Sequence, residues 1–159
     1  NVVYVSLSQK GKLPIGKELS EQRNLKVKTI FKDGTGENIN VSNLRQGTEV
    51  IAQITVSNTS NNWIGNLALS QIFPSGWEIV NTNFTDLEGG TTGKARYTDI
   101  QDDRVNFYFD ISPRKSKTFT VKLNASYLGT YYLPGTQAEA MYDNDYYARN
   151  IGRWVTVEK

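Results

Sequence analysis

Apolar and polar positions alternate along this chain with a period of two, in several separate runs. Val50, Ala52, Ile54 and Val56 fall on one side of the first clear run, with Ile51, Gln53 and Thr55 on the other. Val105, Phe107, Phe109 and Ile111 alternate with Asn106, Tyr108 and Asp110. Phe119, Val121, Leu123 and Ala125 alternate with Thr120, Lys122 and Asn124. Leu67 and Leu69 repeat the pattern, as do Val155 and Val157 beside Trp154. Successive side chains of an extended strand point to opposite faces, so each run predicts a strand with one buried face. Their β-branched and aromatic content suits a pleated, half-buried surface. Turn chemistry separates the runs at Asp33-Gly34, Gly36, Gln46-Gly47, residues 58–62, Pro74-Ser75-Gly76, Gly89-Gly90, Ser112-Pro113 and Pro134-Gly135. No stretch holds a 3.6-residue apolar period beyond about one turn, although residues 41–44 predict a single helical turn. Roughly seven or more short strands with this punctuation predict an all-β fold, a two-sheet antiparallel sandwich of immunoglobulin-like type.

Composition then narrows the chemistry. The 159 residues suffice for one domain, or one domain and the edge of another. There is no cysteine, so the inter-sheet disulfide of many sandwiches is impossible. The core is therefore expected to rest on Trp63, Trp77, Trp154 and the aliphatic rows. Histidine is absent too, which excludes imidazole general bases, Ser-His-Asp triads and Cys/His zinc sites. No convergent nucleophile and base is visible, so no enzyme activity and no cofactor are expected. The formal charge of +2 comes from 18 basic and 16 acidic residues spread along the chain, which does not suit a nucleic-acid partner. No window approaches the roughly 18 consecutive apolar residues of a membrane span, so direct membrane insertion is not expected. Residues 2–7 are strand-like, whereas residues 10–20 form a polar connector with Gly and Pro. Two assignments are open for residues 1–20: part of this sandwich, or a strand and connector from a preceding domain. The boundary is placed near Ser20, with the sandwich over 21–159. A start at Asn1 within a strand-like run reads as a piece of something longer.

Candidate chemistry concentrates in residues 133–149. Pro134-Gly135 launches a short apolar stretch that is expected to break into a loop. That loop carries Met141, Tyr142, Tyr146 and Tyr147 among Asp143, Asn144 and Asp145. Large side chains amid turn-forming residues suit a binding loop on a strand scaffold. The plainer reading makes Met141 and Tyr142 a strand end that packs on the sandwich rim. Asp143 and Asp145 with Tyr146 and Tyr147 suit a sugar platform or a protein interface, and the residues alone do not separate these. Asp99, Asp102 and Asp103 lack the alternating ligand spacing of a calcium loop; a turn that pairs with Arg104 is the expectation. Arg114, Lys115 and Lys117 read as a solvated hairpin tip that discourages edge pairing. Asn40, Asn58, Asn83 and Asn124 each stand in an Asn-x-Ser/Thr sequon, read here as polar turns and strand ends.

The order of these features resembles the C-terminal macroglobulin-like domain of bacterial alpha-2-macroglobulins, the tenth macroglobulin domain. The resemblance runs through the first strand and connector, residues 25–34, residues 44–47 and residues 71–79. It continues through Tyr97-Thr98-Asp99-Ile100-Gln101-Asp102-Asp103-Arg104 and residues 133–142. The Tyr-x-Asp-x-x-Asp-Asp-Arg stretch followed at this distance by Ala140-Met141-Tyr142 is its most specific part. The family implies a broad-spectrum endopeptidase-inhibiting protease trap, periplasmic or on the cell surface and lipid-anchored through the full-length protein. In such a trap a bait region is cleaved by the attacking protease, the molecule rearranges, and in many members a thioester captures the protease. That thioester joins a Cys and a Gln in another domain, so this cysteine-free chain cannot contain it. The resemblance implies that Met141 and Tyr142 form an interdomain lock on the thioester-type domain, with target proteases met through the full-length protein. The alternative is a secreted adhesion or carbohydrate-binding module, whose tyrosines would form an open platform.

Overall fold

The computed structural model describes residues 3–8, 11, 13–80 and 95–159, and among these every regular element is a strand. In chain order they begin with β1 (Glu21–Arg23), β2 (Leu25–Lys32), β3 (Asn43–Arg45) and β4 (Glu49–Asn58). Next come β5 (Ile64–Ile72), β6 (Trp77–Ile79), β7 (Tyr97–Ile100), β8 (Arg104–Ile111) and β9 (Ser116–Ala125). The last four are β10 (Gly129–Leu133), β11 (Gln137–Ala140), β12 (Asp143–Arg149) and β13 (Arg153–Glu158). The period-two runs lie on β4, β5, β8, β9 and β13, and their apolar faces are the buried ones.

Two antiparallel sheets make the sandwich. One has the order β1-β12-β11-β5-β8-β7 and the other β2-β4-β9-β6. Their inner faces meet where Phe119 of β9 stacks on Phe107 of β8 at 4.5 Å and leans on Phe109 at 4.8 Å. Val50, Ala52, Ile54 and Val56 are fully buried beside Val121 and Leu123, facing Leu67, Leu69 and Val105. Each valine, leucine and isoleucine among them contributes about 1.5–3 kcal/mol by leaving water, which offsets the entropy lost in ordering the chain. A third sheet, β10-β13-β3, adds Leu44, Leu133, Val155 and Val157 to the core. Its β13–β3 pair is parallel, the one such pair among the described strands.

Several expectations are corrected. Residues 41–44 form no helical turn: Val41 and Ser42 make a tight turn, and β3 follows at once. Of the three tryptophans only Trp77 is buried, packed edge-on against Phe31 at 6.1 Å. Trp63 is 60% exposed and Trp154 58% exposed, so aliphatic rows and phenylalanines carry the core instead. Residues 3–8 make no strand, and Val3, Tyr4, Val5 and Leu7 are all well exposed. The end of the connector is tied down. Tyr132 donates its hydroxyl proton to Glu18 at 2.6 Å, and Arg149 Nε donates to the Leu19 carbonyl. The Gly89-Gly90 turn, the Asn83 sequon and Val2 lie outside the described residues.

Candidate functional site

The expected loop is far shorter than its composition suggested. Ala140 of β11 faces Asp143 of β12, so Met141 and Tyr142 alone form the tip of a hairpin. Met141 is 51% exposed and Tyr142 is 83% exposed. Tyr146 and Tyr147 belong to strand β12 rather than to a loop. Pairing passes from Glu139 opposite Tyr147 to Ala140 opposite Asp143, which leaves residues 144–146 bulged without partners on β11. Such a bulge bends a strand and re-aims its end. Side chains hold it from both sides. Asp143 Oδ1 accepts the Asp145 N–H at 3.0 Å, and Asn24 Nδ2 donates to the Asp145 carbonyl at 3.0 Å. Beneath the hairpin, Ala138, Ala140 and Ala148 are small enough to press both strands onto the core.

The tip is also fastened sideways. Met141 N–H donates to the Asn66 carbonyl of β5 at 3.0 Å. Asn66 has φ of 52°, in the left-handed region that asparagine tolerates better than most residues. It sits in a β5 irregularity between Ile64 and Leu67. Its own N–H donates to Asp110 Oδ1 at 3.0 Å, and Asp110 is ion-paired with Arg96 at 2.6 Å.

The β4–β5 connection abuts this corner. Asn58 is buried and acts as its hub. Its amide nitrogen donates to the carbonyls of Asn62 at 2.7 Å and Ser112 at 3.2 Å, and its oxygen accepts from the Ser60 N–H and hydroxyl. Asn62 Nδ2 in turn donates to the Tyr146 hydroxyl at 3.1 Å. Trp63 follows directly, and its ring lies across Gly65, where a Cβ would stand 2.5 Å from a ring carbon.

The tyrosines of β12 line one cleft but have different surroundings. Tyr146 packs against the core edge and bonds to Asn62. Tyr147, just past the bulge, stands opposite Glu139 of β11. Burial pushes its hydroxyl pKa up, Arg149 opposing and Glu21 and Glu139 adding to the rise. It borders a cleft of about 240 Å³ with Glu21, Arg23, Glu139 and Asn144.

The other candidates lie elsewhere. Asp103 forms a bidentate pair with Arg104, at 2.9 Å for both bonds, which holds the Asp103 carboxyl below its usual range. Asp99 instead accepts from Gln101 and Asn106. Among the described residues no three His, Cys, Asp or Glu side chains gather in a metal-holding group. Arg114, at φ 56°, clasps the β4–β5 connection through Asn61 at 2.9 Å, so this hairpin tip is more than a solvated end. Lys117 Nζ lies 5.7 Å from the Phe109 ring centre. A second cleft, of about 280 Å³, borders a Thr29–Thr136–Gln71 hydrogen-bond chain whose Thr136 and Gln71 are buried.

Comparison with known proteins gives a consistent pattern. Residues 21–145 match a protein family described as the bacterial alpha-2-macroglobulin MG10 domain. Over 149 residues the chain is 31% identical to the alpha-2-macroglobulin of Rickettsia conorii, covering 89% of this chain and 8% of that relative. The native conformation of E. coli alpha-2-macroglobulin superposes with a TM-score of 0.81 at 19% identity, over 92% of this chain and 10% of that one. The trypsin-activated form from Escherichia coli gives 0.77 at 18% identity, over 89% of this chain and 11% of that one. At these identities the structures speak for the fold. The chain thus spans about a tenth of the length of each of these alpha-2-macroglobulins.

Proposed function

This chain belongs to the bacterial alpha-2-macroglobulin MG10 domain family, and from that premise we propose that it holds a larger protease trap in its resting form. The Met141–Tyr142 tip docks on a neighbouring thioester-type domain of the same polypeptide. One observation carries the reading: two large side chains stand exposed at a tip whose backbone is fastened to β5. A tip that is rigid before docking loses little entropy when it docks.

The chemistry suits the task. A thioester carbonyl is electrophilic, and water hydrolyses it unless the site is kept dry. Methionine conforms to irregular gaps, while tyrosine covers area and still offers a hydroxyl to a polar group. A contact made by a hairpin tip, not by a shared core, comes away when domains shift. It need favour the closed arrangement by only a few kcal/mol, until cleavage of the bait by a target protease releases the constraint. The domain contributes contact and not catalysis. In this reading residues 3–7, apolar on alternate positions and unpaired here, complete a sheet of the preceding domain. The whole trap works in the periplasm or at the cell surface, held there by a lipid anchor elsewhere in the full-length protein.

Tyr142→Ala tests it. In the full-length protein the substitution is expected to raise the rate of thiol appearance several-fold, while the stability of the 159-residue chain moves by less than about 0.5 kcal/mol. A thiol rate equal to that of the unaltered protein contradicts the docking role.

A further inference from the structure

We propose that Trp63 is a second anchor of the surface that carries Met141 and Tyr142, covered by the same neighbouring domain when the parent protein rests. The inference depends on the docking reading above and extends it to a residue on a different connection.

A lone exposed aromatic is ordinary on a protein surface. Trp63 is not alone, because two links bring it to the tip. Its neighbour Asn62 donates to Tyr146 at 3.1 Å, and Asn66, one residue past the glycine under its ring, accepts from the Met141 N–H at 3.0 Å. Trp63, Met141 and Tyr142 are 60%, 51% and 83% exposed at this one corner. Tryptophan, tyrosine and methionine are the residues enriched at the dry centres of interfaces, and tryptophan foremost at their energetic hot spots. Large exposed side chains on segments bonded to one another are the kind of surface that marks a partner.

The ring is also set in place in advance. It lies on the backbone of Gly65, which leaves no room for a Cβ there, and so presents one face outward. The connection that bears it is braced by the four hydrogen bonds of the Asn58 amide and by Arg114 through Asn61. Asp110, which accepts from the Asn66 N–H at this corner, is paired with Arg96 at 2.6 Å, so a partner covering that pair strands neither charge. The occupant is the rest of the same polypeptide. The chain spans 8% of the length of its Rickettsia relative, and a partner tethered in one chain reaches millimolar effective concentration or more. A contact of a few side chains is then enough.

Hydroxyl-radical labelling read by mass spectrometry tests the proposal on three samples: the 159-residue chain, the resting full-length protein, and the full-length protein after bait cleavage. Trp63 is expected to label several-fold more slowly in the resting protein than in the chain alone, and to recover after cleavage. Buried Trp77 should label slowly in all three. Equal labelling of Trp63 in chain and resting protein overturns the proposal. If Tyr142 is shielded while Trp63 stays open, the second anchor is wrong and the docking role of the hairpin stands. A shielded Trp63 beside an open Tyr142 keeps the anchor and sinks the hairpin role; both open sinks both. Trp63→Ala adds a functional arm, expected to raise Tyr142 labelling in the resting protein, with Trp63→Phe restoring part of the shielding. No change in Tyr142 labelling with Trp63→Ala also counts against the anchor.

Discussion

Two asparagines shape the corner where the exposed side chains gather, and each does so by a different property. Asn66 supplies a left-handed backbone conformation that turns its carbonyl toward Met141. A β-branched residue there meets its own backbone. Asn66→Val is expected to lower stability by about 1–3 kcal/mol, whereas Asn66→Gly should be tolerated nearly in full. Asn58 supplies buried hydrogen bonds, and Asn58→Ala takes the acceptor from the Ser60 N–H and one donor each from the carbonyls of Asn62 and Ser112, which keep the Ser60 hydroxyl and the Lys115 N–H. The loss should reach about 1–3 kcal/mol in all. Urea melts of the three variants check both expectations. Phe119→Ala provides the core comparison at about 3–5 kcal/mol, since Phe119 touches both Phe107 and Phe109. At this scale legibility was uneven. Met141 and Tyr142 stood out in the sequence because large side chains amid Asp and Asn are unusual. Trp63 reads as a core residue in a sandwich that has no disulfide to join its sheets. The contrary signal was local: Ile64 and Leu67 are both buried though three apart, and the Gly65-Asn66 pair between them marks an irregular strand that turns Trp63 outward.

At the scale of elements, the strands with the cleanest alternation were the ones the sequence foretold: β4, β8 and β9, each buried on alternate residues. Elements held by something other than alternation were hidden. Strand β12 opens with Asp143, Asn144 and Asp145, residues of low strand propensity, and is held by β11, β1 and Asn24. Strand β3 has three residues and exists through its parallel pairing with β13, more than a hundred positions away. No local pattern reports such a partner. The connector before β1 has its own chemistry. The Tyr132 hydroxyl, and after it the Glu18 backbone, holds the Glu18 carboxyl below its ordinary 4.5; burial opposes them, and the Gly16 N–H and the Arg149 charge add lesser support. A carboxyl whose folded pKa is lowered stabilises fully above its unfolded value, and the contribution is lost as pH falls through the folded one. The tether is therefore expected to be intact at neutral pH and to release in acid below the ordinary glutamate range. Tyr132→Phe should move the Glu18 titration back up toward 4.5, read by NMR of its side-chain carboxyl carbon. An unmoved midpoint would mean that the hydroxyl does not hold the carboxylate.

For the whole molecule, a sandwich closed by a third small sheet leaves one corner apolar and exposed, where the hairpin and the β4–β5 connection meet. Neither the antiparallel pairing nor the core requires Met141, Tyr142 or Trp63 to be large. Their size makes sense against a surface supplied by the rest of a longer chain. The most direct measurement is hydrogen exchange of the peptide spanning residues 138–146 in the isolated chain, in the resting full-length protein, and after cleavage of the bait. Exchange slowed in the resting protein and restored by cleavage is the predicted result. Identical exchange in all three would contradict the claim that this hairpin tip is a removable cover.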